Sequence, residues 1–214
     1  MTRAPTRREA LWHDWGIRTV AELLVIFVGV TAAFLVEGYR ERLEDAQRLR
    51  QATAGIVTEM SHYATRSLEH ADSIAARIEA WRTADRAGER AIPGYYRIPG
   101  APKPPTAAWE ATVASGVASL FEPELRLDLG YFYAEFLGVH DNYVRYLEFI
   151  EREILPRVAS GPDAFYDPSG RLRPEFRAQM ELLEEFGEDL RELGGAAAEL
   201  RDRLAAVGDR DTTP

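Results

Sequence analysis

The sequence predicts an all-α protein: an N-terminal transmembrane helix followed by an antiparallel bundle of three long helices and one short helix. Three observations carry this. One apolar run lies near the N-terminus; apolar residues then recur at steps of three and four over most of the chain; and one long stretch dense in proline and glycine interrupts that spacing. The divisions that follow are a short basic tail over 1–15, a membrane anchor over 16–38, a helical domain over 39–207 broken by a loop at 83–105, and a disordered tail over 208–214.

The anchor comes first. Leu23–Val36 reads LLVIFVGVTAAFLV, with Thr31 its single polar side chain. Fourteen residues are short for a span. The flanks extend it, because Trp12 and Trp15 on one side and Tyr39 on the other occupy positions where amphipathic rings favour headgroups. As a helix, Gly16 to Gly38 is about 35 Å long, enough for a hydrocarbon core of ~30 Å. Arg18 can snorkel, and Glu22 can pair with it one turn later. A cleaved signal peptide is the rival reading, since Thr31-Ala32-Ala33 resembles a cleavage site, but helix-forming sequence continues past Val36 without a break. Arg3, Arg7, Arg8 and Arg18 before the run balance Arg40, Arg42, Arg48 and Arg50 after it. A short basic tail ahead of an apolar run favours a cytoplasmic N-terminus, which places the C-terminal domain in the periplasm of a bacterial inner-membrane, single-pass protein.

Within the anchor, Glu22, Ile26, Gly29 and Ala33 share one helix face. Gly29-x-x-x-Ala33 permits close approach of a second helix, and a carboxylate in a span is costly when it faces lipid. The expected partners are the bilayer and either another membrane protein or a second copy joined through this face. A Glu22–Arg18 pair facing nothing is the alternative.

Beyond the anchor, Val57, Met60, Ala64, Ser67, Ala71, Ile74, Ile78 and Trp81 make one coiled-coil-like seam, continuous in pattern with the anchor and thin because three members are Ala or Ser. Pro93, Pro99, Pro102, Pro104 and Pro105 end it. Tyr95 and Tyr96 sit in that break between Ile92 and Ile98; they either fold back to cap the helices or form an exposed docking loop. A short helix is expected from Thr106, its N-cap, to about Leu120. Pro123 suits the first turn of the next helix. There Leu125, Leu129, Phe132, Phe136, Val139, Tyr143, Tyr146 and Ile150 form one stripe, and Tyr133, Leu137, Val144 and Leu147 lie beside it. So wide an apolar face predicts a helix covered on more than one side. Asp167-Pro-Ser-Gly170 marks a turn and Pro174 restarts a helix. Its seam is Leu183, Phe186, Leu190, Leu193, Ala197, Leu200, Leu204 and Val207.

Composition and motifs exclude more than they assign. With no cysteine, disulfides, thiolate metal sites and a cysteine nucleophile are out. The net charge of −9 gives no basic footprint for nucleic acid. Glu59-Met-Ser-His62 is half of the paired Glu-x-x-His signature of di-iron helical proteins, and no other histidine completes it. His140-Asp141 fits a histidine hydrogen-bonded at the edge of the core. Ser115-Gly116 lacks a nucleophile elbow, and no glycine-rich phosphate loop occurs. No catalytic, cofactor or metal residue is nominated. The acidic run Glu181–Glu192 reads as a solvated helix face.

Trp15, Glu22, Val25, Gly29, Val30, Ala33 and the exit Glu37–Arg40 resemble the anchor of an uncharacterised family of small bacterial single-pass membrane proteins. Trp109-Glu110, Ser115-Gly116 and the Leu125–Leu129–Tyr133 run resemble its helical domain. Glu37-Gly38-Tyr39-Arg40 stands where an Asn-x-x-Trp exit is usual. The resemblance implies the architecture and brings no activity. The expected role is therefore a non-enzymatic accessory or scaffold subunit of a membrane assembly. The alternative is a periplasmic ligand sensor or enzyme with a pocket between its helices.

Overall fold

A computed structural model describes residues 7–98 and 106–210, with side chains over 22–98 and 106–206. The chain is all-α, with no β-strand among the described residues. It divides into two units, residues 1–48 and 49–214. Helix α1, Arg7–Arg86, contributes to both.

In the first unit the apolar run is helical and uncovered: Leu23, Phe27, Phe34 and Val36 are each more than half exposed. Arg40, Glu44, Asp45 and Arg48 follow with ion pairs of 3.1–3.8 Å along the same helix. Trp12, Trp15 and Arg18 have side chains outside the described residues.

The second unit is built on the expected seams. Helices α2 (Ala107–Ala114), α3 (Pro123–Phe149) and α5 (Pro174–Arg210) join α1. A π-helical turn, Ile150–Ile154, leads α3 into α4 (Leu155–Val158). Pro156 explains that turn, because it has no N–H for the carbonyl of Arg152 and the wider turn absorbs the mismatch. Two apolar clusters fill the interior. One joins Ile56, Met60 and Tyr63 to Leu125, Leu129 and Leu204; the other joins Ile74 and Ile78 to Tyr146, Ile150, Phe176 and Leu183. Gly187 allows α5 close to α1, where an added Cβ would lie 3.0 Å from Ile74 Cγ2.

Contacts between the helices give their directions. Along α1 and α5 the contacts run in opposite senses, Asp72 meeting Arg191 and Arg82 meeting Glu184. Along α3 and α5 they also oppose, Asp128 meeting Arg203 and Tyr143 meeting Phe186. Helix α5 is therefore antiparallel to both α1 and α3, and those two run parallel to each other. The cause is the proline-rich connection, which returns along α1 before α3 begins. Gly55 to Arg86 rises about 47 Å as helix, and an extended chain at ~3.3 Å per residue covers that within the segment 87–107. Residues 99–105 of this connection lie outside the described residues.

Three local expectations are also revised. Thr106 does not cap α2 with its side chain; its hydroxyl donates to Glu110 Oε1 at 2.6 Å. Glu59 of α1 does the capping: its Oε1 accepts the Ala108 N–H at 2.6 Å and its Oε2 accepts the Tyr133 hydroxyl at 2.7 Å. The short helix stops at Ala114, and Val117–Leu120 is a separate 3-10 turn. Leu137 and Val144 are 45% and 40% exposed, so α3 is covered on one side less than its pattern implied. At the other end α5 is helical to Arg210, and residues 211–214 lie outside the described residues.

Glu59→Ala should destabilise the full-length protein by ~1–3 kcal/mol, because it strands the Ala108 N–H and the Tyr133 hydroxyl. Glu59→Gln keeps an acceptor and should cost less. Chemical denaturation followed by circular dichroism measures both, and a Glu59→Ala protein as stable as the parent would refute the capping role.

Candidate interaction surfaces

Glu22, Ile26, Gly29 and Ala33 lie on one face of the uncovered part of α1. Each is exposed, and a Cβ added at Gly29 would meet nothing within 4 Å. A second helix can reach this backbone without first displacing a neighbour.

Tyr95 and Tyr96 are placed differently from a free docking loop. Tyr96 is 8% exposed and Tyr95 is partly buried against the core. The Tyr96 hydroxyl lies 2.8 Å from His70 Nδ1, and the Arg77 guanidinium sits 5.7 Å from the centre of its ring. Its backbone N–H donates to the Tyr146 hydroxyl at 3.0 Å, and that of Ile98 donates to the Tyr143 hydroxyl at 2.6 Å. Gln179 Nε2 donates to the Gly94 carbonyl at 3.1 Å, and the Tyr166 hydroxyl both accepts from and donates to the backbone of Ala91. Gly94 is tight here: a Cβ would lie 3.3 Å from the Arg77 carbonyl oxygen. The segment 87–98 is thus a strap held down by tyrosines and one glutamine. Burial pushes the Tyr143 and Tyr146 hydroxyls up from the ordinary phenol range, so they stay protonated.

Glu59 faces α2 and Tyr133, while His62 is exposed. Among the described residues no group of three or more His, Asp and Glu side chains is placed to hold a metal ion. The histidine bonded at the core's edge is His70, not His140, a distinction that needed the return path of the strap.

An open groove of about 560 Å³ lies between α3 and α5. Tyr143, Tyr146, Phe149 and Phe186 line its floor, and Leu182 stands at its edge, 56% exposed. Gln179 also lines it, is 2% exposed, and has no hydrogen-bond partner for its Oε1 among the described residues. Asp189 closes one end. Partial burial raises its carboxyl pKa, and Glu185, Glu192, Glu135 and Glu188 add to that effect. No cation pairs with these five carboxylates among the described residues. Arg145, in the same lining, bonds to Asn142. In the sequence this run reads as a solvated helix face. The structure separates Glu184, paired with Arg82 at 2.7 Å, from its neighbours at the groove.

Comparison with known proteins returns no match: no protein-family model, no curated protein and no solved structure matches the chain.

His70 gives a pH test of the strap. Its pKa is lowered, first by burial and then by Arg66, with Glu69 opposing. Folding therefore expels a proton from it. The stabilisation is complete above the unfolded imidazole value of ~6.5 and is lost as pH falls through the lower folded value. His70→Gln should flatten the stability profile between about pH 7 and 5 relative to the parent. Parallel profiles in denaturant titrations would show that His70 is uncoupled from folding.

Proposed function

We propose that this protein is a single-pass inner-membrane protein whose helical bundle works by binding other proteins, as an accessory or scaffold subunit of a membrane assembly. The observation that carries the reading is the apolar run of α1. It is the one segment of the described residues long and apolar enough to cross a membrane, and none of it is buried within the protein. Removing one such side chain from water is worth ~1.5–3 kcal/mol, and ten large ones between Leu23 and Val36 stand exposed. A lipid environment is the simplest cover for them. The basic tail argues for a cytoplasmic N-terminus and a periplasmic bundle. The face of Glu22, Ile26, Gly29 and Ala33 supports a partner helix within the bilayer, whether from another protein or a second copy. A binding role fits a unit whose inner polar groups hold its own backbone and whose α3–α5 groove is open at the surface.

Membrane residence is tested by alkaline carbonate washing. Full-length protein should stay in the pellet, and a truncated chain starting at residue 45 should be soluble and helical. Release of the full-length protein, or a mature N-terminus near Phe34, would overturn the reading. A C-terminal alkaline phosphatase fusion should be active; an inactive one would reverse the topology. In an in-membrane association assay Gly29→Leu should weaken pairing without loss of insertion. Glu22→Leu should cost more than Glu22→Gln, on the scale of ~0.6–2 kcal/mol for one intramembrane hydrogen bond. Association untouched by Gly29→Leu and Glu22→Leu would remove this face from the interface.

A further inference from the structure

The strap is held by contacts that answer differently to pH. The hydroxyls of Tyr143, Tyr146 and Tyr166 and the amide of Gln179 keep their charge state between about pH 5 and 8. The ion pairs Arg90–Asp163, at 2.7 Å, and Arg97–Glu151, at 3.5 Å, also stay charged there. Among the described contacts of the strap, only that of Tyr96 with His70 involves a side chain that titrates in this range. We propose that His70 is a pH-sensitive latch: neutral, it fastens the 95–98 end of the strap to α1, and protonated, it lets that end go. The cap and the docking loop that the sequence offers for Tyr95 and Tyr96 are then two states of one segment. The latch belongs to the fold and stands apart from the proposed binding role.

The geometry sets what a proton does here. Tyr96 is 8% exposed, and its hydroxyl lies 2.8 Å from His70 Nδ1. With the ring's hydrogen on Nε2, Nδ1 accepts the Tyr96 O–H. A protonated ring donates from both nitrogens, so the phenol oxygen must accept instead and its own hydrogen loses its acceptor. The surrounding charges also oppose a cation. On α1, Arg66 lies one turn before His70 and is paired with Glu69 at 3.2 Å, and the Arg77 guanidinium sits 5.7 Å from the centre of the Tyr96 ring. On the strap, Arg97 faces Glu151. On α3, Tyr143 is uncharged and its hydroxyl accepts the Ile98 N–H. On α5, Arg191 donates to the Ala71 carbonyl at 3.4 Å and lies 3.8 Å from Asp72. Each of these carboxylates, Glu69, Glu151 and Asp72, already faces an arginine. Burial and Arg66 accordingly hold the imidazole pKa below its ordinary value, with Glu69 opposing. The state that hydrates His70 binds the proton more tightly, so acidification favours the open end, by at most about tenfold per pH unit for one proton. The contacts at Ala91 and Gly94 carry no titrating group, so they hold while the end lifts.

The test is hydrogen exchange on the full chain in phosphatidylcholine nanodiscs at about pH 7.5 and 5.5, resolved to single amides and corrected for the intrinsic pH dependence of exchange. The amides of Tyr96 and Ile98, bonded to Tyr146 and Tyr143, report the latch end, and that of Ala91, bonded to Tyr166, reports the far end. On acidification Tyr96 and Ile98 should exchange about three- to tenfold faster, and Ala91 less than about twofold faster. His70→Gln does not titrate and should remove the difference. His70→Phe lacks the acceptor as well and should leave the end fast at both pH values. His62→Gln, at an exposed histidine, should behave as the parent. Circular dichroism at both pH values confirms that the helices persist. Equal corrected rates at the two pH values, a pH response retained in His70→Gln or lost in His62→Gln, or an end that stays slow in His70→Phe would overturn the proposal. So would equal acceleration at Ala91, which would mean that the strap loosens as a whole. The comparison of Tyr96 with Ala91 is made within the parent, so it decides even where a His70 variant fails to fold.

Discussion

The second unit depends on how an extended segment is kept inside a helical protein. Residues 87–98 have no helix to satisfy their backbone, and each buried, unpaired peptide group would cost on the order of 1–3 kcal/mol. Tyr166, Tyr146, Tyr143 and Gln179 reach in from the surrounding helices and loop to meet the groups of Ala91, Tyr96, Ile98 and Gly94. Tyrosine suits the task, since its ring adds to the apolar interior while its hydroxyl both donates and accepts. Because the strap is held along α1, the chain returns to the starting end before α3 begins. The parallel pairing of α1 and α3 follows from that return.

Glu59 completes the return. The strap delivers the chain to α2, whose start would otherwise leave its amides open, and Glu59 supplies the acceptor from α1. The same carboxylate binds Tyr133, whose ring stacks on Trp109 at 5.3 Å between centroids. One side chain thus ties α1, α2 and α3 together at one end, as the tyrosines do at the other. This is a structural use for a residue that, taken with His62 alone, looks like part of a metal motif.

The seams of the long helices were legible because burial imprints a local period, and Met60, Ile74, Leu129, Leu183 and Leu204 are buried where that period puts them. The direction of α3 was not legible, because it is set by partners such as Ala91 and Tyr166 lying 75 residues apart. Nothing in the spacing near Tyr96 says whether it meets solvent or His70. Glu59 could not be assigned for the same reason, since its acceptor role exists only once α2 has been carried back to it. The face of Glu22 and Gly29 was open to sequence reading because small residues and a carboxylate at helical spacing are a local pattern. The groove of Gln179 and Asp189 was not, because α3 and α5 must first be packed to form it.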